Sequence, residues 1–365
     1  MTLLEPGREP GVCGGARVER RMLEGASPEA ARRRNGAPRA GQVGSPARTA
    51  AGPRQLRHTK GVRTILKRSI ERVLCRGGLA GLARGYRRAG TLVLAYHNVV
   101  PDGGAGGGDR SLHLPQGEFA RQLDLLQRTH DVVPLSMLSA PPEGRRPRVV
   151  ITFDDAYQGA VTAGVEELSR RGLPATIFVT PGFVGGKPFW WDALSRPGSD
   201  GLPPELRDRC LTVLRGRDAD IRRWAAEHGV AAHGVAPHQT GASEAQLESA
   251  FRTGGITLAA HTWSHPNLTA LRPEELDEEM VRPLAWLRER FPGVLSWLTY
   301  PYGLTSPAVE EAARRAGYEG AFRVEGGWMP RSGAGARPHA LPRSNVPAGA
   351  SLEHFEMRTS GLIPS

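Results

Sequence analysis

The sequence predicts an α/β fold in which parallel strands form a sheet or a barrel. From residue 91 onward, short apolar segments alternate with segments of helical periodicity. This alternation is typical of chains built from βα units. Polar residues that can carry chemistry follow directly after several of the predicted strands. Parallel α/β barrels place their active sites at these strand ends.

The individual elements follow from their apolar patterns. The predicted strands lie at residues 91–96, 148–153, 175–180, 256–260, 295–300 and 317–324. The predicted helices, in which apolar residues recur at helical spacing, lie at residues 117–129, 158–171, 273–291 and 307–316. A polar, helix-rich insert is expected between the third and fourth of these strands, at about residues 186–253.

The segments outside this domain differ from it in composition. Residues 1–60 are rich in Arg, Gly, Ala and Pro, which predicts a disordered basic tail. Residues 61–90 are predicted to form a basic amphipathic helix or linker. This helix either packs on the domain, which is the favoured interpretation, or contacts an anionic membrane peripherally. The domain itself is expected at residues 91–350, with a C-terminal tail at residues 351–365.

The net charge of +11 belongs to the N-terminal part of the chain. Residues 1–90 contain 20 Lys and Arg against 6 acidic residues, whereas the remainder contains 28 against 31. The body of the chain carries no nucleic-acid-binding motif, so no specific nucleic-acid partner is expected. The three cysteines are far apart, which argues against a disulfide framework. Neither a signal peptide nor a transmembrane run is recognisable, and the sequence therefore predicts a cytoplasmic location, with peripheral membrane contact as an alternative.

Two motifs at strand ends predict a metal site. ITFDD places Asp154 and Asp155 after an apolar strand, where adjacent carboxylates need a cation or a donor nearby. One of them could instead cap the next helix. HTWSH places His261 and His265 after another strand, four residues apart, so that one helical turn would aim both rings at one point. Two imidazoles and a carboxylate are a common ligand set for a catalytic divalent metal.

Two further strand ends carry candidate residues. In YPYG, the turn around Tyr302 can present a backbone N–H to a developing oxyanion, although an ordinary turn is the alternative. In LAYHNVV, His97 follows a strand, which favours a place in the site over a structural role.

Taken together, TFDD, HTxSH and PYG in this order resemble the polysaccharide deacetylases, the NodB-homology domain of carbohydrate esterase family 4. LAYHNVV, FWWDAL, SHPNL and LPRSNV are similar to segments of the bacterial exopolysaccharide deacetylases. The resemblance spans about residues 91–350. It implies a distorted (β/α) barrel with fewer strands than a full TIM barrel.

The resemblance also implies roles for single residues. Asp154 matches the catalytic base, and Tyr302 matches the residue whose backbone N–H helps to form the oxyanion hole. His97 matches an active-site histidine of the exopolysaccharide branch. Three residues match the ligands of one divalent metal ion, zinc or a similar ion: Asp155, His261 and His265.

Two departures from the family pattern concern the same site. Thr299 stands where the family often has an arginine that supports the base, so Asp154 needs another partner. His339 is the candidate general acid, although it precedes LPR instead of following it. Arg343 is predicted to act electrostatically at the substrate, with a structural salt bridge as the alternative. Trp191 is predicted to stack on a sugar, with core packing as the alternative.

The expected function is metal-dependent removal of acetyl groups from an N-acetylated sugar or polysaccharide, with release of acetate. One alternative is a related amide hydrolase that acts on a small non-sugar substrate or a glycolipid. A non-catalytic carbohydrate-binding relative is the other.

Overall fold

Parallel strands alternate with helices along the chain, as the sequence predicts. The computed structural model describes residues 71–140, 144–329 and 337–364. The predicted disordered tail at residues 1–60 lies outside the described residues, as does the first part of the 61–90 segment. Within the described residues, no helix is long and apolar enough to cross a membrane.

The main sheet is parallel throughout and contains eight strands in the described part of the chain: β1 (Thr91–Tyr96), β4 (Asp131–Val132), β5 (Arg148–Phe153), β6 (Ala175–Val179), β7 (Ile256–Ala260), β8 (Trp297–Thr299), β9 (Gly320–Phe322) and β10 (Ser344–Asn345). Their order is β10-β1-β5-β6-β7-β8-β9, with β4 beside the start of β5. A second, two-stranded parallel sheet contains β2 (Asn98–Val100) and β3 (His113–Pro115).

Helices connect these strands: α1 (Leu79–Tyr86), α2 (Gln116–Thr129), α3 (Val165–Arg171), α4 (Trp190–Ala193), α5 (Pro204–Thr212), α6 (Asp218–Glu227), α7 (Glu244–Phe251), α8 (Pro273–Arg290), α9 (Pro307–Arg315) and α10 (Leu352–Ser360). Residues 71–76 are also helical, and a π-helical turn, Ala160–Gly164, leads into α3. Helices α4 to α7 lie between β6 and β7, where the sequence predicts a helical insert.

Three strands coincide with their predicted bounds, namely β1, β5 and β7. Strands β8 and β9 are shorter than the predicted segments at 295–300 and 317–324. Tyr300 is still extended after β8, and the chain then turns at Pro301–Gly303.

One segment brings the two edges of the curled sheet together, and we call residues 341–345 the closing segment. Leu341 exchanges backbone hydrogen bonds with β9, donating to Ala321 O and accepting from Arg323 N. Three residues later, Ser344 and Asn345 pair with Leu94 and Ala95 of β1. The sheet therefore forms a distorted (β/α) barrel, as predicted.

The faces of the strands pack into two apolar clusters. One lies between the sheet and the helices and includes Leu92, Leu94 and Ile151. Alternate residues, including Val93, Val150, Phe178 and Phe322, form the other. Side chains alternate along a strand, so the side chain of Thr152 lies on the same face of β5 as that of Val150. Asp154, which directly follows β5, continues this alternation and lies on the same side.

Candidate active site

The two adjacent aspartates point to different partners because the chain bends sharply at Asp155 and Ala156. Strand β5 ends at Phe153, and Asp155 and Ala156 then adopt φ values of 70° and 53°. This left-handed conformation is uncommon for residues other than glycine, and it concentrates at functional sites. Both carboxylates are buried. Asp154 faces Arg343, whereas Asp155 faces the two histidines.

Asp155, His261 and His265 form a compact set of buried metal-ligand atoms. Asp155 Oδ1 lies 3.4 Å from His261 Nε2 and 3.3 Å from His265 Nε2. A tetrahedral ion with bonds of about 2.0–2.1 Å separates its ligand atoms by about 3.3 Å. Asp155 Oδ1 is buried and has no hydrogen-bond partner among the described residues. The set therefore fits one divalent cation.

The two histidines converge in a way that the sequence spacing did not predict. Residues 261–265 form a loop and not a helical turn, and Thr262 and His265 have φ values of 60° and 58°. Glu279 of α8 holds this loop, because its Oε2 accepts hydrogen bonds from the backbone N–H groups of Trp263 and Ser264, at 2.8 and 2.9 Å. The two imidazole rings do meet, but the prediction that a helical turn brings them together is wrong.

His261 is oriented through its Nδ1, which lies 2.7 Å from the carbonyl oxygen of Thr299. An Nδ1–H that donates to this carbonyl leaves Nε2 without a proton and free to bind a metal. The Thr299 Oγ1 also lies 3.3 Å from Asp154 Oδ1. Thr299 therefore contacts both the metal set and Asp154.

The ring of His265 is held by aromatic packing. Its centroid lies 4.8 Å from that of Trp191 and 4.6 Å from that of Tyr302, whose hydroxyl donates to His265 O at 3.2 Å. Burial lowers the pKa of His265 to about 3, although Asp155 opposes this shift. A neutral imidazole is the form that binds a metal.

Asp154 forms a bidentate ion pair with Arg343. Arg343 Nη1 lies 2.8 Å from Asp154 Oδ1, and Nη2 lies 2.6 Å from Oδ2. Nη1 also donates to Thr152 Oγ1 at 3.0 Å. Burial raises the pKa of Asp154, but the charge of Arg343 and its hydrogen bonds to the carboxylate outweigh this effect. The pKa is therefore held below its usual range.

Arg343 therefore takes the supporting place that Thr299 leaves open. Its side chain has no exposed surface, and its role at the substrate remains a prediction. The alternative of a structural salt bridge describes its contacts. Sequence reasoning could not select this alternative, because Asp154 and Arg343 are 189 residues apart.

His339 is not among the residues that line the cavity around Asp155, and its role as the general acid remains a prediction. Its Nε2 contacts the carbonyl oxygen of Tyr318, which precedes β9. Residues 338–340 form a turn beside β9, in which Pro338 O accepts a hydrogen bond from Ala321 N.

A cavity of about 170 Å³ opens above these groups. Seven predicted site residues lie on its wall: His97, Asp154, Asp155, Trp191, His261, His265 and Tyr302. Other parts of the chain contribute further lining residues, among them Ser111, Trp190, Arg207 and Asn345. The individual roles of these residues remain predictions.

Tyr302 lies in the turn Pro301–Gly303 and has a φ of 59°. The turn brings its ring against His265 and Trp191. Its predicted role at an oxyanion concerns the backbone N–H of the same residue, and the turn places that residue on the cavity wall.

Trp191 is held by a buried network that the sequence did not reveal. Its Nε1 donates to the hydroxyl of Tyr157 at 2.7 Å, and that hydroxyl donates to Asp192 Oδ2 at 2.7 Å. Asp192 Oδ1 lies 2.9 Å from His113 Nε2 and accepts from Asp109 N at 2.9 Å. The indole is thus fixed from behind, while its face lies against His265.

Trp190 also lines this cavity, whereas Trp263 and Trp328 do not. Trp263 packs under the guanidinium of Arg282, 3.6 Å from the ring centroid. Trp328 forms a bridge with Leu92 near the amino end of β1, at the other end of the strands from the site.

Comparison with known proteins gives one family and one fold. The model of the family described as polysaccharide deacetylase matches residues 142–321. Protein BA0330 from Bacillus anthracis has a similar structure, with a TM-score of 0.54 and 14% identity over 73% of this chain and 68% of that chain. BC0361, a polysaccharide deacetylase from Bacillus cereus, gives a TM-score of 0.53 and 14% identity over 75% and 69%. No curated protein sequence matches this chain.

Proposed function

We propose that the chain is a metal-dependent hydrolase that removes acetyl groups from an N-acetylated sugar or polysaccharide and releases acetate, because the model of the polysaccharide deacetylase family matches residues 142–321. The observation that carries the proposal is the buried Asp155, His261 and His265 set with the Asp154–Arg343 pair beside it. This combination provides a ligand set and an ionised carboxylate in one cavity.

The metal would be held by Asp155 Oδ1 and by the Nε2 atoms of His261 and His265. A divalent cation bound there supplies Lewis acidity, which polarises the acetyl carbonyl and makes water more acidic. Zinc suits two imidazoles and one carboxylate.

The residues around this set act on the proton and on the oxyanion in the proposal. Asp154 accepts the proton of the attacking water, and the Arg343 pair keeps its carboxylate ionised and oriented. Protonation of the amine nitrogen as the C–N bond breaks then releases acetate and the free amine. The backbone N–H of Tyr302 donates to the oxyanion that develops on the acetyl group. Trp191 closes one side of the cavity and excludes water from the acetyl group.

The size of the cavity bears on the substrate. A volume of about 170 Å³ is small compared with the roughly 300–1,000 Å³ of typical small-molecule sites. It suits an acetamido group with part of a sugar ring, so a longer chain must extend outside. A wider cleft of about 660 Å³ runs beside it along the glycine-rich segment 103–107, and Ser111 lines both. We therefore propose an oligomeric or polymeric substrate.

Metal content and acetate release together test the proposal. We expect Asp154→Asn to keep stoichiometric metal and to lower kcat on acetylated chito-oligosaccharides by about 100-fold or more. Asp155→Asn should lose metal, and excess metal should partly restore its activity. Asp131→Asn is a matched control, because Asp131 forms an exposed ion pair with Arg146 at 3.0 Å.

Two results would contradict the proposal. If metal content falls equally in Asp154→Asn and Asp155→Asn, the separate roles of base and ligand are wrong. If the purified chain binds no stoichiometric metal even after reconstitution, the metal-dependent mechanism is wrong. A kcat/KM that does not rise with oligosaccharide length would remove the argument for a polymer alone.

A further inference from the structure

Helix α1 presents its large apolar side chains to solvent and its small ones to the protein. Ala80 is fully buried, whereas Leu82 and Tyr86 are 73% and 76% exposed. Leu79, which is 42% exposed, is three residues before Leu82 and seven before Tyr86, so the three lie on one helix face. A helix that only packed on its own domain would point such residues inward.

The orientation of this region is fixed by contacts on its other side. Arg84 Nη1 donates to Glu356 Oε1 of α10 at 2.9 Å, and both side chains are mostly buried. Cys75 Sγ lies 3.5 Å from the carbonyl oxygen of Glu353. Turning the helix to bury Leu82 and Tyr86 would break these contacts. Among the described residues, none covers this apolar face, which is therefore available to a partner outside the domain.

The charge around this face selects the partner. Residues 60–90 contain nine basic residues and one acidic residue. Several of the arginines are exposed: Arg72, Arg76, Arg87 and Arg88. An exposed apolar ridge flanked by arginines is typical of helices that lie in the interface of an anionic membrane. A second copy of the chain would instead bring like charges together.

We propose that α1 is a membrane-contact surface, on which Leu79, Leu82 and Tyr86 enter the interface of an anionic bilayer while the neighbouring arginines bind lipid headgroups. The partner is thus a lipid surface with net negative charge. This surface is separate from the candidate active site and does not depend on the proposed function.

The position of α1 has a consequence for substrate access. Tyr86 precedes the amino end of β1 by five residues, and Gly90 O accepts a hydrogen bond from Arg148 N at 2.9 Å. The cavity lies at the carboxyl end of the same strand, which is about 20 Å away at roughly 3.3 Å per residue. A membrane at α1 would therefore leave the cavity accessible from water.

Vesicle binding by the full-length chain tests the proposal. We expect co-sedimentation with vesicles that contain phosphatidylglycerol, and little with pure phosphatidylcholine. The double substitution Leu82→Glu and Tyr86→Glu should weaken binding by about 10- to 100-fold, because two buried apolar side chains are lost. Val281→Glu is the matched control, since Val281 is 54% exposed on another helix.

Thermal unfolding and oligomeric state, measured on the same proteins, complete the experiment. Unchanged values in the double variant support the proposal. It is overturned if the full chain does not bind anionic vesicles, or if the double variant binds them as well as the control does. It is also overturned if the double variant loses thermal stability or dissociates an oligomer, since the face would then pack on the chain itself or on a second copy.

Discussion

Removal of the Arg343 guanidinium should destabilise the whole domain and not only the site. Arg343→Gln leaves the Asp154 carboxylate buried at 2% exposure without its bidentate partner. Breaking a buried ion pair from one side costs about 3–5 kcal/mol in the free energy of unfolding. A domain is stable by only about 5–15 kcal/mol, so the loss is a large fraction of the total. Arg343→Lys keeps the positive charge but cannot form the two parallel hydrogen bonds to Asp154. We therefore expect a smaller decrease in the free energy of unfolding, of about 1–3 kcal/mol.

A double-mutant cycle with Asp154→Asn separates this pair from unrelated effects. Unfolding by urea is measured for the wild type, both single variants and the double variant, in excess chelator so that bound metal does not contribute. In the background of Asp154→Asn, the further cost of Arg343→Gln should fall, with a coupling energy of about 1–3 kcal/mol. If the destabilisation of the double variant equals the sum of the two single destabilisations to within about 0.5 kcal/mol, the two side chains are not coupled and the reasoning is refuted.

Two further predictions concern buried polar groups away from the metal set. Tyr157→Phe leaves Asp192 Oδ2 and the Trp191 Nε1–H without their partner. In urea titrations this change should lower the free energy of unfolding by about 1–3 kcal/mol, and it should also raise KM. An unchanged KM would contradict the proposal that Tyr157 positions Trp191. Burial lowers the pKa of His130 from 6.5 to about 4, so the folded chain binds fewer protons than the unfolded chain between these values. The contribution of neutral His130 to the free energy of unfolding is fully present above pH 6.5. It falls by about 3 kcal/mol as the pH decreases toward 4, because the unfolded chain binds the proton more readily. His130→Gln should lack this part of the pH dependence, and equal slopes for both proteins would count against it.

The strands and the residues after them could be predicted because both signals are local. An apolar run such as residues 148–153 indicates a buried strand by itself, and DD and HTWSH follow directly after such runs. Parallel strands bring their carboxyl ends to one edge, so Asp155 and the two histidines meet without any further information. The prediction of these three residues therefore rests on the fold class and on two local motifs.

The supporting residues could not be predicted because their partners are distant in sequence or lack a motif. Glu279 lies within an acidic helix segment, PEELDEEM, where nothing distinguishes it from its neighbours. Its contact with the Trp263 and Ser264 N–H groups appears only once α8 is packed beside the loop. The i, i+4 spacing of the histidines was misleading for the same reason, because a loop with left-handed residues can bring two rings together as a helical turn does.

The closing segment joins the stability of the barrel to the chemistry of the site. Leu341 bonds to β9 and Ser344 pairs with β1, and Arg343 between them reaches Asp154. The guanidinium can be placed correctly only when both edges of the sheet are bound, because the backbone on each side of it belongs to a different edge. Arg343 also lies over the rings of Phe178 and Phe322, at 5.6 and 5.8 Å from their centroids. An ion pair buried among aromatic rings requires good geometry, since desolvation otherwise exceeds the attraction. The carboxylate of Asp154 is therefore supported only in the closed barrel, and any change that opens the sheet at β9 or β1 should weaken its pairing with Arg343 before it unfolds the helices.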